Sequence, residues 1–255
     1  MDKQHIINSF KDDDKILALN LYEKYKLSYN KNICMFGNDF YPPNIWRYFK
    51  DNFNSGDCSV EDDGYFENAE RRMICFNNKL SEKFPFEVLK IENASKYNTL
   101  KHSDYLGAIL SLGIKRCKIG DLLVKDNVCY LTVCSEIKEY LLENIKSIGR
   151  TPCKVTVFSK VMSPPSYEFE ELIVLVPSLR VDSIVTKLIK NSRTKAQNYI
   201  ENGKVLVNYN EVRDKSKELI ENDRITLRGY GKFIIGEIIG NSKSGKLKVI
   251  IKKYL

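Results

Sequence analysis

Apolar residues fall into a helical rhythm in the last third of the chain. Val181, Ile184, Val185, Leu188 and Ile189 lie at i, i+3, i+4, i+7 and i+8, one stripe of an amphipathic helix. Asn191-Ser192 ends it, and Ser192 can cap a second helix over Arg193 to Asn202. Ala196 and Ile200 would then point inward, with Gly203 where a left-handed C-cap falls. Val205 and Val207 next alternate with Lys204 and Leu206, Asn208-Tyr209-Asn210 makes a turn, and Asn222-Asp223 precedes a second alternating strand, Ile225-Thr226-Leu227. The pattern predicts helix, helix, then a small twisted sheet.

The middle of the chain reads as strand (Phe86 to Ile91), helix (Lys101 to Leu112), two strands (Asp121 to Val124, Val128 to Val133) across an Asp126-Asn127 turn, helix (Ser135 to Ile148) and strand (Lys154 to Phe158). That βαββαβ order is the ferredoxin-like, RRM-like layout. Its third strand offers only Tyr130 as an aromatic, so the sheet is either a structural platform or a second reader of RNA. Upstream, Ile6, Ile7, Phe10, Ile16, Leu17, Leu19 and Tyr22 form a patchy stripe broken by Asp12 to Asp14. Pro42-Pro43 opens another helix that carries Trp46 on its apolar face. The expected fold class is therefore α+β, in four parts: a helical N-terminal domain (1–83), the ferredoxin-like domain (84–162), a linker with a lead-in strand (163–177, from Ser163-Pro164-Pro165-Ser166) and the helix-helix-sheet domain (178–255).

Charge sharpens this division. The chain of 255 residues carries 41 Lys and Arg against 33 Asp and Glu, a net +8. Residues 172–255 hold 17 cations and 8 acids, +9, which leaves 24 and 25, or −1, for residues 1–171. A basic module of this kind points to a polyanion. Arg193 and Lys195 fall in the first turn of the second helix, where the dipole favours anions, so their placement works against helix stability. Arg180, Lys187, Lys190, Lys204, Arg213 and Arg228 extend the same basic character. Lys115, Arg116 and Lys118 follow the helix ending near Gly113, and serve either as a second RNA contact or as cations at a helix C-terminus.

Other chemistries find little support. The seven cysteines show no Cys-x-x-Cys pair, the two histidines (His5, His102) lie in no nucleophile context, and no glycine-rich cofactor loop follows a strand. No metal, cofactor or small-molecule substrate is expected. The densest apolar run, Leu172 to Val176, is far short of the ~20 residues that span a bilayer. The N-terminus lacks the features of a secretory signal, so the expectation is a cytoplasmic protein without a membrane partner.

The blocks Ser178-Leu179-Arg180-Val181-Asp182, Ser192-Arg193-Thr194-Lys195-Ala196, Ile200 to Asn208 and Asn222-Asp223-Arg224-Ile225 resemble, in order, the RNA-binding domain of small-subunit ribosomal protein S-four. The resemblance implies contact roles for Arg180, Arg193, Lys195 and Asn208, with Ser192 as cap. Leu106 to Arg116, Lys118-Ile119-Gly120-Asp121, Gly64-Tyr65 and Ala69-Glu70-Arg71-Arg72 further resemble the YlmH family of bacterial RNA-binding proteins. The likeness implies a non-catalytic factor that binds ribosomal RNA or tRNA on the ribosome, with the large subunit favoured, in quality control of stalled nascent chains. Two other readings accompany it. Arg180-Val181-Asp182 superficially resembles the motif around the catalytic Asp of pseudouridine synthases, and the family's gene neighbourhood implies a cell-division scaffold.

Overall fold

The structure is a computed structural model that describes residues 3–95, 98–159 and 165–254. The chain divides into two compact units, residues 1–166 and 167–255.

The first unit opens with α1 (Lys3–Ser9), α2 (Asp12–Lys31), β1 (Met35–Phe36), α3 (Pro43–Phe53), β2 (Val60–Asp63) and β3 (Met73–Phe76). The acidic break in the apolar stripe is where α1 gives way to α2, and Asp12, Asp13 and Asp14 occupy the first turn of α2, where the dipole favours them. Pro43 stands at the start of α3, as expected of a residue with no N–H to satisfy. Trp46 is 7% exposed. Its Nε1 donates to Glu70 O at 2.9 Å, and the guanidinium groups of Arg47 and Arg72 lie 5.2 and 5.0 Å from its ring, so this core residue also anchors cations.

The helical reading of residues 1–83 is incomplete. The segment also forms a three-stranded antiparallel sheet, in the order β1-β3-β2. All four residues of β3 are buried, so the strand shows no alternation, and β1 is two residues long; neither leaves a period to read.

The unit continues with β4 (Phe86–Asn93), α4 (His102–Ser111), β5 (Ile119–Lys125), β6 (Val128–Cys134), α5 (Lys138–Asn144), β7 (Ser147–Ile148) and β8 (Thr151–Val157). The sheet order β5-β6-β4-β8-β7, antiparallel throughout, is the split-βαβ arrangement with one short added strand. Asp126 and Asn127 adopt φ of 50° and 62° and close the β5–β6 hairpin with the left-handed pair that a two-residue turn requires. The helix read over 135–148 is shorter than expected. A 3₁₀ turn and α5 cover 135–144, after which Ile148 pairs with Thr151 across the positive-φ Gly149. Tyr105 and Ile109 of α4 and Leu141 of α5 pack with Leu89, Ile91 and Leu131 of the sheet.

The boundary read at 83/84 falls inside this unit. Phe40 and Met73 share a buried cluster with Phe86 and Cys134. The Asp121 carboxylate accepts from Glu70 N at 2.5 Å and from Arg71 N at 3.1 Å, and Phe40 N donates to Cys117 O at 2.7 Å. A shared core and buried polar ties make one body of the two segments.

The second unit comprises β9 (Phe169–Val176), α6 (Val181–Leu188), α7 (Arg193–Glu201), β10 (Val205–Val207), β11 (Asn210–Glu211), β12 (Arg224–Leu227), β13 (Gly231–Asn241) and β14 (Leu247–Tyr254). The strands form one antiparallel sheet, β11-β10-β12-β13-β14-β9. Val181, Ile184, Val185, Leu188 and Ile189 are all buried, against Ala196, Ile200, Val205, Ile225, Phe233 and Val249. Asn208 and Tyr209, at φ of 48° and 69°, turn β10 into β11.

The strand placed with the linker belongs to this sheet, because Phe169 to Val176 pairs residue by residue with Tyr254 to Leu247. Ser163-Pro164 of the proposed linker lie outside the described residues. Dividing at 166/167 therefore adds Glu168, Glu170 and Glu171 to the basic unit. It holds 17 cations and 11 acids, net +6, while residues 1–166 hold 24 and 22, net +2. The contrast in charge is milder than the sequence division implied.

Among the described residues no helix is long and apolar enough to cross a membrane, and no group of three His, Cys, Asp or Glu residues is placed to hold a metal.

Candidate nucleic-acid interface

Two arginines of the second unit, Arg180 and Arg193, converge on one buried carboxylate. Asp182 occupies the first turn of α6, and its side chain has no exposed surface. From the start of α7, Arg193 Nη2 and Nε donate to Asp182 Oδ2 at 2.6 and 3.2 Å. From the residue preceding α6, Arg180 Nε donates to Oδ1 at 3.2 Å and Nη2 to Oδ2 at 3.4 Å. A fully desolvated carboxylate is costly unless paired, and here two planar forks pair it. Each fork meets Asp182 along its Nε edge. The Arg193 and Arg180 side chains remain 63% and 39% exposed, with Arg193 Nη1 outside the pair. The result is a net positive cluster whose cations are held by a group that solvent cannot reach.

Local sequence explains the convergence. Lys190 takes φ of 50°, and Asn191 Oδ1 accepts from Ser192 N at 3.0 Å, so α6 turns into α7 within a few residues. Ser192 caps α7 by accepting from Lys195 N through its hydroxyl at 3.3 Å, which places Arg193 on the side facing Asp182. The start of α6 is closed, because Val181 N and Asp182 N donate to Lys217 O and Lys215 O.

Burial alone would raise the Asp182 carboxyl, yet the bonds from Arg193 and Arg180, with their charge, outweigh it and hold the group below its ordinary 3.8. A carboxyl whose pKa is lower folded than unfolded contributes stability in full above the unfolded value, and loses it as pH falls through the folded one. Amide protection across α6 and α7 should therefore drop below about pH 4, and Asp182→Asn should remove that step from an exchange profile taken at pH 5 and pH 3. An unchanged step would assign it to another carboxylate.

The remaining residues proposed from the sequence fall into two groups. Lys195, Lys204 and Arg228 are exposed on the second unit, and Lys204 Nζ sits 5.2 Å from the Tyr199 ring centroid. Asn208 is engaged in the fold: its Nδ2 donates to Asp223 Oδ1 at 2.7 Å and its Oδ1 accepts from Arg224 N at 3.0 Å. In the first unit, Arg116 Nη1 donates to Ile119 O at 2.6 Å and Gly120 O at 3.1 Å, and burial lowers its pKa to about 10. Lys118 pairs with Asp39 at 2.8 Å and Glu136 at 2.7 Å. Of that basic segment, Lys115 alone is exposed. Sequence reasoning met Asp182 within motif resemblances, as part of the Ser178–Asp182 block and of the Arg180-Val181-Asp182 likeness to pseudouridine synthases. Its spacing from Arg180 and Arg193 across two helix starts was the available signal that it organises both.

Comparison with known proteins bears on both units. Residues 80–161 match the family described as "Putative RNA-binding domain in YlmH", and residues 179–225 match the S4 domain. The second match contains Arg180, Asp182, Ser192, Arg193, Lys195, Lys204 and Asn208. Over 195 residues the chain is 27% identical to the ribosome-associated protein quality control protein P2 of Bacillus subtilis (strain 168), covering 74% of this chain and 76% of that protein. A solved structure, the cell division protein ylmH from Streptococcus pneumoniae, aligns over 60% of this chain and 94% of its own, with 20% identity and a TM-score of 0.48.

Proposed function

We propose, from the matches to the RNA-binding domain of YlmH and to the S4 domain, that the chain is a YlmH-type, non-catalytic RNA-binding factor that docks through its S4 domain on structured RNA. The RNA is ribosomal RNA or tRNA, bound on the ribosome with the large subunit as platform, and the process is the quality control of stalled nascent chains. The observation that carries this is the Asp182 clasp. It presents two arginine forks at adjoining helix starts, pre-ordered for phosphate oxygens, beside the exposed Lys195 and the first N–H groups of α7, which have no partner within the helix. Lys204 and Arg228 lengthen the basic surface, Ser192 fixes the α7 terminus, and Asn208 acts by holding the β10–β11 turn. Lys115 offers a further contact on the first unit, with Arg116 and Lys118 supporting its loop. The relative in Bacillus subtilis, named as ribosome-associated and as a quality control protein, favours the ribosome over other structured RNA.

An RNA-modifying reading needs a carboxylate that can reach a substrate. Asp182 is buried beneath Arg180 and Arg193, which supports a proposal without catalysis.

Sedimentation of the purified chain with separated ribosomal subunits over a salt series tests the proposal. With about five phosphate contacts, log affinity should fall against log salt with a slope near −3.5. Binding to the large subunit with that dependence is the expected result. Failure to sediment with either subunit at low salt, or binding indifferent to salt, would overturn it.

A further inference from the structure

A second feature of the S4 unit lies at the opposite end of α7 from Arg193. The β12–β13 turn runs Gly229-Tyr230-Gly231, and both glycines have positive φ, 87° and 121°. Tyr230 N donates to Leu227 O at 2.9 Å, which ties the turn to the end of β12 and leaves the tyrosine at its tip, 42% exposed. Tyr199 of α7 backs it. The two rings lie 5.7 Å apart at 83°, and the Tyr199 hydroxyl donates to Arg228 O, so helix and turn are locked together. Lys204 Nζ stands 5.2 Å from the Tyr199 ring centroid, and Arg228 immediately precedes the turn. The neighbouring acids are neutralised: Glu201 pairs with Lys215 at 2.5 Å, and Glu211 with Arg213 at 2.7 Å.

An exposed aromatic ring normally gains more from burial than from water. Here the backbone is bent through two positive-φ residues to hold one outward, next to two exposed cations. We propose that Tyr230 is a stacking platform for one unpaired base of the bound RNA, with Lys204 and Arg228 taking the phosphates on either side of it. Every base has a π-face, and alternating aromatic and cationic groups is how proteins hold unpaired nucleotides. Tyr199 is a positioning residue that fixes the ring and the turn. The platform rests on the RNA-binding reading above and deepens it. The phosphate clasp at Asp182 would hold paired RNA, while Tyr230, packed on Tyr199 six residues or ~9 Å along α7 from Arg193, would select a duplex interrupted by an unpaired nucleotide.

The test uses the full chain and two RNA hairpins, one with a single unpaired adenosine and one fully paired, with affinity read by fluorescence anisotropy. Wild type should prefer the interrupted hairpin. Tyr230→Ala should weaken binding to that hairpin by roughly tenfold, leave the paired hairpin unchanged and keep the salt slope, since no phosphate contact is lost. Tyr230→Phe should bind as wild type, because stacking needs the ring and not the hydroxyl. 2-Aminopurine at the unpaired position should be quenched by wild type and not by Tyr230→Ala. If wild type binds both hairpins with a salt-dependent slope but shows no preference, or if Tyr230→Ala binds both as wild type does or weakens both equally, the platform is overturned and the RNA-binding reading stands. If wild type binds neither hairpin, both fall.

Discussion

Replacing Arg193 and Lys195 together by alanine should release the protein from large ribosomal subunits at salt concentrations where the wild type co-sediments. Each charge-assisted bond to a phosphate is worth about 1.5–3 kcal/mol, so losing two lowers affinity by at least roughly a hundredfold. The salt slope should become shallower by about 1.4, at 0.7 for each contact removed. The two positions differ in how cleanly they report. Lys195 is exposed and its backbone N–H, which Ser192 accepts, survives substitution, so Lys195→Ala isolates binding. Arg193 also covers Asp182, and Arg193→Ala leaves a buried carboxylate with Arg180 and Ser183 as its remaining side-chain partners. Arg193→Lys separates the roles by keeping a cation while losing the planar fork. It should retain most of the salt slope yet bind less tightly than wild type. If the double variant sediments like the wild type, RNA docks elsewhere on the chain.

How far the sequence carried this reading depends on what each residue faces. The helix pair was legible because Val181 to Ile189 present one apolar stripe to one core, and period is what a buried helix face imposes. The β13–β14 hairpin was not read. Phe233, Ile234 and Ile235 are buried in succession, and bulges shift the register between Ile235 and Gly240, so the alternation that marks a half-buried strand is interrupted. Charge counting found the basic surface but not its organiser, because one acid beneath two arginines looks in composition like a cancelled charge. Asn208 shows the reverse. Its motif position implied a contact, while its left-handed φ and both side-chain bonds hold the turn. Asparagine tolerates φ above zero better than most residues, which is a backbone reason for its presence.

The segment from Leu106 to Asp121 carries the second large prediction, and two of its three glycines, Gly107 and Gly120, should respond in opposite ways. A Cβ at Gly120 would lie 2.1 Å from Thr132 Oγ1 and 2.8 Å from two atoms of the Phe40 ring. Neither neighbour is free to move away, since Thr132 donates to Asp121 O at 3.3 Å and Phe40 is fully buried beside Phe86. Gly120→Ala should therefore overpack the joint and cost about 1–3 kcal/mol, lowering the melting temperature of the first unit by several degrees. Because Phe40 and Asp121 tie residues 1–83 to the sheet, the loss should appear in the fluorescence of Trp46 as well as in the exchange of β5 and β6 amides. Gly107 lies within α4, and nothing stands within 4 Å of the position its Cβ would take. Gly107→Ala should stabilise the same unit by about 0.5–1 kcal/mol, the ordinary gain of alanine over glycine inside a helix. Neither change touches a residue proposed to contact RNA, so ribosome binding at low temperature should be unaltered in both. Equal, small effects at the two positions would mean that the N-terminal segment and the sheet do not pack through Gly120.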